Sequence, residues 1–402
     1  MSHSAVPSSP LAVRAETVRK IAIFRALFLG DLLCAVPALR ALRRRYPHAE
    51  ITLIGLSWAA DFVRRVPYVD RFVAFPGYEG VREVPYNARQ TRAFLAEAHA
   101  TGYDLALQMH GTGEVSNGFV AALGARVSLG YRAAADDRLA FSLLYEARQH
   151  EILRWLRLVE VLGAPTDDLR TEFPVTKAEE RQAIELLAAP SLYGSRSGQV
   201  IGLHAGAKDP ARRWSPERFA AVADALVERF GARIVLTGSA GERNITAAVQ
   251  GAMRHPVRDL AGLTDLGTFA ALIGHLDLLI TNDTGASHLA AAANTPSVVL
   301  FGPSRPEEWA PLDRERHHVI DALALDGHHA DPSTALQYLP VAPVLDASVA
   351  ALEHRESRAE NQEPSSASRE PKVWQHRRKI RELKDQGQDE SRADLQSLMR
   401  GS

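Results

Sequence analysis

Short apolar runs alternate with longer amphipathic ones along most of the chain. Segments 20–25, 50–55, 71–75, 104–108 and 127–130 are brief and dominated by Ile, Val, Leu, Ala and Phe, which predicts buried strands. Between them, 30–45, 58–66, 88–101 and 114–123 place apolar residues at helical spacing, and a long helix is predicted over 146–163. Segment 164–198 breaks the pattern with Pro165, Pro174, Pro190 and a Gly-Ser-Arg-Ser-Gly run. The alternation then restarts, with strands predicted at 200–205, 233–237, 278–281 and 298–301 and helices at 216–230, 241–253, 266–275 and 285–293. Ser215-Pro216 supplies an N-cap and a first-turn proline to one of these.

Such alternation implies right-handed crossovers and parallel sheets covered on both faces. The expectation is an α/β protein of two doubly wound, Rossmann-like domains facing a central cleft. Its expected divisions are a flexible N-terminus (1–18), a first domain (19–180), a linker (181–198), a second domain (199–354) and a charged, largely disordered tail (355–402). Segment 347–354 reads as a last helix, whereas 355–370 is rich in Ser, Glu and Pro. The basic run His376, Arg377, Arg378, Lys379, Arg381 is read as a solvated charged segment in preference to a membrane or partner contact. Ligands of doubly wound sheets sit beyond the carboxyl ends of the strands. That rule brings the loops at 29–31, 204–206, 237–239 and 282–287 to one side.

Composition narrows the function. A length of 402 residues suits two cores, and 47 Lys plus Arg against 48 Asp plus Glu leave no global field to attract nucleic acid. Cys34 is the single cysteine, which excludes intramolecular disulfides and cysteine-cluster metal sites. The first 20 residues hold no apolar leader core, and Arg25, Asp31 and Pro37 interrupt the most apolar stretch, 21–39. A reducing compartment, most simply the cytosol, is expected, with any membrane met from its surface.

Three clusters carry candidate chemistry. In Asn-Asp-Thr-Gly-Ala-Ser-His (282–288) a strand ends at the mouth of an Ala-rich helix, whose unpaired amides and positive dipole end favour an anion. Gly285 permits close approach, Thr284 and Ser287 offer hydroxyls, and Asp283 either caps the helix or orients neighbouring loops. The competing reading is a capped core helix with His288 bonded internally. In the second cluster, 204–219, a strand end and small turn residues including Gly206 precede Lys208, Arg212 and Arg213, which can neutralise a leaving diphosphate. Otherwise this is a solvated basic loop plugged by Trp214. In the third, 27–47, Gly30-Asp31 follows the first strand directly, where a general base for a hydroxyl belongs. An ordinary helix-opening Asp is the alternative. Arg40, Arg43, Arg44 and Arg45 are expected to face solvent. There is no G-x-x-x-x-G-K-[ST] loop and no Asp-x-Asp pair. His110 opens only an approximate G-x-G-x-x-G, and His150-Glu151 lacks the second His of a zinc helix.

In order and spacing, segments 29–55, 212–226, 259–292 and 295–304 resemble glycosyltransferase family 9, the heptosyltransferase-like enzymes. The resemblance runs from about residue 20 to 311. It implies a GT-B fold, with the first domain taking the acceptor and the second the nucleotide sugar, and inverting transfer without a divalent metal. On it, Asp31 is the expected base and Arg212, standing where the family has Lys, the expected catalytic cation. Asp283, Thr284, Gly285, Ser287, His288, Gly206 and Glu242 are assigned to the donor, Glu242 through its ribose. Gly30, Arg64, His110 and Arg132 are assigned to the acceptor. The implied donor is an ADP-sugar or other nucleotide sugar, the implied acceptor an anionic glycolipid such as a lipopolysaccharide core, and the expected place the cytoplasm or the cytoplasmic face of the inner membrane. No metal and no cofactor are expected. A nucleotide-sugar epimerase or hydrolase on the same fold, or a catalytically silent binder, are the alternatives.

Overall fold

The computed structural model describes residues 13–188, 198–325 and 331–361. In the first half the chain runs β1 (Lys20–Phe24), α1 (Leu29–Arg45), β2 (Glu50–Gly55), α2 (Ala59–Arg65), β3 (Arg71–Ala74), α3 (Ala88–Thr101), β4 (Leu105–Gln108), α4 (Ser116–Ala122), β5 (Val127–Arg132), β6 (Phe141–Leu144), α5 (Glu151–Glu160) and α6 (Lys177–Ala188). The second half runs β7 (Val200–His204), α7 (Pro216–Phe230), β8 (Arg233–Leu236), α8 (Arg243–Ala252), β9 (Arg258–Asp259), α9 (Leu266–Gly274), β10 (Leu278–Asn282), α10 (Gly285–Ala293) and β11 (Ser297–Phe301). It closes with α11 (Pro306–Trp309), β12 (His317–Asp321), α12 (Ala322–Leu325), α13 (Ala335–Tyr338) and α14 (Val341–Asn361).

Each half builds one six-stranded sheet, ordered β3-β2-β1-β4-β5-β6 and β9-β8-β7-β10-β11-β12. Adjacent strands are parallel throughout both sheets. The two orders are equivalent: each sheet sets its first strand beside its fourth, and the winding reverses there. The central strands carry the core, with Ile21 to Phe24 and Leu278 to Ile280 fully buried. This burial on both faces is why they read as unbroken apolar runs.

The strands that the hydropathy pattern did not announce are β6, β9 and β12. They are edge or near-edge strands with mostly half-buried residues, so they lack a continuous apolar run. Helix α5 is shorter than the expected 146–163. The chain enters it through Arg148, whose φ is +62°, and through the extended His150, whose ring accepts from the Ile152 amide as the cap. Segment 181–198 begins as the second part of α6, and 189–197 lie outside the described residues. Helix α6 lies on α9, where Thr268 Oγ1 donates to Gln182 Oε1 at 3.0 Å, and its Glu179 pairs with Arg65 of α2 at 2.7 Å. It therefore joins the two halves, which form one unit reaching to residue 360. Helix α14 extends past residue 354, and its Val344, Val349, Ala351 and Leu352 complete the second core. The expected tail beyond 361, with the basic run, lies outside the described residues, as does 1–12.

Arg40 and Arg43 of α1 overturn their expected exposure, whereas Arg44 stays exposed and Arg45 is half-buried. Arg43 is fully buried and ion-pairs with Asp70, and Arg40 pairs with Asp168 at 3.0 Å while lying over the Tyr68 ring. Arg44 reaches Asp167, and Arg45 donates to the Leu162 carbonyl. A long aliphatic stem lets an arginine lie inside wherever carboxylates and carbonyls meet its head. No helix among the described residues is long and apolar enough to cross a membrane.

Candidate active site

The two reversal points face each other. Helix α1 starts just beyond β1, α10 just beyond β10, and their first turns meet. A Cβ placed on Gly30 would come 2.5 Å from His288 Cδ2, and one on Gly285 would come 3.2 Å from Leu29 Cδ2. Glycine at both positions is what lets the two helix starts approach. Phe28, half exposed beside this junction, lies under the Lys208 ammonium, 4.2 Å from its ring centre, which adds a cation–π contact across the cleft.

On the first wall stands Asp31. Its Oδ2 accepts from the Phe28 amide at 3.3 Å, so it does serve as a helix-opening residue. It does more than that. Its side chain retains 20% exposure at the cleft, and Oδ1 lies 3.8 Å from Arg25 Nη2. Burial raises its pKa above the ordinary carboxylate value, with Glu151 pushing the same way, while Arg25, His288 and the Phe28 amide oppose. The result is a carboxylate of higher proton affinity than a surface aspartate, as a general base requires.

On the second wall stands the α10 mouth. Thr284, not Asp283, is the N-cap, accepting from the Ala286 amide at 3.3 Å. Asp283 instead orients loops: it is buried, accepts from Ser304 Oγ at 2.5 Å and pairs with Arg212 at 3.3 Å. Arg212 keeps 41% exposure, so its guanidinium is held from one side and open on the other. The hydroxyl expected from Ser287 is not available, because Ser287 is buried and donates to the Thr284 carbonyl at 2.7 Å. His288 is also buried, packed on Gly30 and 3.7 Å from Cys34 Sγ, and burial lowers its pKa. It therefore spaces the two walls, and Thr284, Gly285 and Arg212 remain to meet an anion.

The flanking loops sort the other candidates. Gly206 lies against Glu242, where a Cβ would meet Oε1 at 2.2 Å, and Glu242 Oε2 accepts from the Ser239 amide at 2.8 Å. These bonds outweigh burial and lower the pKa of Glu242, so it is held as an anion beside the β7 exit. Arg213 folds back onto the Ala207 carbonyl, and Trp214 plugs the second core with Nε1 donating to Leu339. His110 comes to the β1 side, stacked on Phe24, with Nδ1 accepting from the Ala26 amide at 3.3 Å and Nε2 3.6 Å from Glu83. Burial and Arg25 lower its pKa to about 4, so it is neutral near pH 7. Arg64 stands exposed beside Asp61, and Arg132 donates to the Ala134 carbonyl; neither contact reaches Asp31.

Arg25 and Glu151 escaped the sequence reading. Arg25 appeared only as an interruption of an apolar stretch, and Glu151 only as part of an incomplete zinc helix. A cation ending a buried central strand on the ligand side was the available signal for Arg25. None existed for Glu151, which tertiary packing alone brings there.

The profile of glycosyltransferase family 9 (heptosyltransferase) matches residues 92–329, more than half of the chain. The chain belongs to this family. Lipopolysaccharide heptosyltransferase 2 of Escherichia coli K12 is 28% identical over 336 residues, covering 77% of this chain and 93% of the relative. Among solved structures, a family 9 glycosyl transferase from Veillonella parvula covers 86% of this chain and all of its own, with a TM-score of 0.71 and 20% identity. The E. coli ADP-heptose lipopolysaccharide heptosyltransferase II covers 84% and 99%, with a TM-score of 0.65 and 23% identity. These likenesses establish the GT-B fold, and family membership makes the chain a glycosyltransferase.

Proposed function

We propose that this glycosyltransferase moves a heptose from ADP-heptose to a hydroxyl of a lipopolysaccharide core, with inversion and without a divalent ion. The observation that carries this reading is the meeting of Asp31 and the α10 mouth across the cleft, with Gly30 and His288 in contact. The names of the relatives supply donor and acceptor: the E. coli structure is of an ADP-heptose enzyme, and the curated relative acts in lipopolysaccharide synthesis. In this reading Asp31 takes the proton of the acceptor hydroxyl as its oxygen attacks the anomeric carbon. The bond from that carbon to the diphosphate breaks on the opposite face. The charge left on the diphosphate is met by amides of the first turn of α10 and by Arg212. Asp283, itself bonded by Ser304 Oγ, pairs with Arg212 from one side, and the rest of the guanidinium stays exposed. The cytoplasmic face of the inner membrane is the expected place of work.

The test pairs Asp31→Ala with transfer from ADP-heptose to a lipopolysaccharide-core acceptor and with calorimetric ADP binding. Transfer is expected to fall about 10³-fold with ADP affinity retained. An unchanged rate removes Asp31 as the base, and no transfer by the wild type leaves the silent-binder or hydrolase alternatives standing. In the same assay wild-type turnover is expected to persist in excess chelator; a loss restored by Mg²⁺ overturns the metal-independent reading.

A further inference from the structure

The Arg25 guanidinium is fixed in an unusual way. Nε donates to the Asp31 carbonyl at 2.8 Å and Nη1 to the Met109 carbonyl at 2.6 Å, so two backbone acceptors set the plane of the group. The Trp155 ring covers it at 4.7 Å. Nη2 is left buried without a hydrogen bond, 3.8 Å from Asp31 Oδ1 and 3.6 Å from Glu151 Oε2. Neither carboxylate closes on it. Glu151 cannot approach, because Oε1 accepts from Arg154 Nε at 2.7 Å and Oε2 from Trp155 Nε1 at 2.8 Å. Arg154 is itself clamped between the Tyr145 ring and the Glu146 and Gln149 carbonyls. A buried arginine beside a lone aspartate would ordinarily close a full ion pair, which would leave a poor base.

We infer that Glu151 is a positioning residue for sugar transfer: it shares Arg25 with Asp31 and so keeps the Asp31 carboxylate out of a closed ion pair and open to the acceptor proton. This inference rests on Asp31 being the base. The groups that face Asp31 are Arg25 at the end of β1, Glu151 from α5, His288 from α10 and Cys34 on its own helix. Asp283, His150 and Arg212 stand behind His288. Of these, only Glu151 is an anion that also draws on Asp31's own cation. Removing its charge acts on Asp31 twice, by deleting a repulsion and by releasing Arg25 towards it.

The experiment is the pH profile of kcat/KM for wild type, Glu151→Gln and Arg25→Gln, each checked for folding and ADP binding. Glu151→Gln is expected to move the acid limb down by about one pH unit, and Arg25→Gln to move it up by about as much. Limbs that stay in place while rates fall equally at all pH values would mean a purely structural role and overturn the inference. If neither variant folds, Trp155→Phe decides: it frees Glu151 Oε2 to close on Arg25, which is expected to move the acid limb up, and a limb that stays in place overturns the inference. The base assignment is judged separately by Asp31→Asn: if that variant keeps the wild-type acid limb, the assignment of Asp31 fails whatever Glu151 does.

Discussion

The two halves share a strand order and differ in what stands at the reversal point. In the first, the crevice between β1 and β4 is charged to its floor: Arg25, Asp31, Glu151, Arg154 and His110 lie buried or half-buried within a few side chains of one another. In the second, the crevice between β7 and β10 is small-residued and backbone-rich, built from Ala205, Gly206, Thr284, Gly285 and Ala286. On the proposed function, one wall tunes the proton affinity of a single carboxylate and the other presents amide groups to a multiply charged ligand. A fold of this kind fixes where a ligand lies, whereas the residues at the crevice decide what is done to it.

The sharpest way to break this comparison is to push the walls apart. Gly30→Val sets a branched side chain where even a Cβ would lie 2.5 Å from the His288 ring. A displacement of about 1 Å between base and donor is expected to cost about 10²-fold in kcat, with ADP binding, a property of the second wall, nearly unchanged. Equal loss of ADP affinity would show that the walls do not act separately. Arg212→Ala tests the second wall by itself. Removing one charged donor to the diphosphate is expected to weaken ADP binding and turnover by about 10-fold or more, and Arg212→Lys to recover part of it. A variant as active as wild type would leave the α10 mouth as the diphosphate's entire protein environment. The smallest effect is expected from Lys208→Ala, which removes the contact with Phe28 across the cleft. An exposed cation–π pair is worth about 0.5–1 kcal/mol, so a few-fold rise in KM is the expected reading.

The central strands and the long helices were legible because burial on both sides, or along one stripe, leaves a periodic trace in the residues. β2, α3, α7 and α10 match their expected bounds for that reason. The edge strands β6, β9 and β12 left no such trace, since a half-covered strand mixes polar and apolar residues without strict alternation. Helix α6 was hidden by the prolines around it and by a single buried residue, Ala183, although it ties the two halves together. At the site, the Asn-Asp-Thr-Gly turn and Gly30-Asp31 stood out because glycine and a polar residue at a strand end mark a special backbone. Roles within those turns were harder to read. Whether Asp283 or Thr284 caps the helix, and whether Ser287 points out or back, depends on one turn of backbone.

The order of residues by itself determined two parallel α/β halves, two crevices, and the candidate carboxylate and helix mouth that stand in them, because strand ends and helix starts are local features. Only the tertiary structure decided that these features meet, that His288 is a spacer, that Arg40 and Arg43 of α1 are buried braces, and that Arg25 is shared by two acids. Each of those depends on side chains from distant segments arriving within about 4 Å of one another. At such separations in a poorly solvated interior, charge and packing set behaviour that local sequence does not encode.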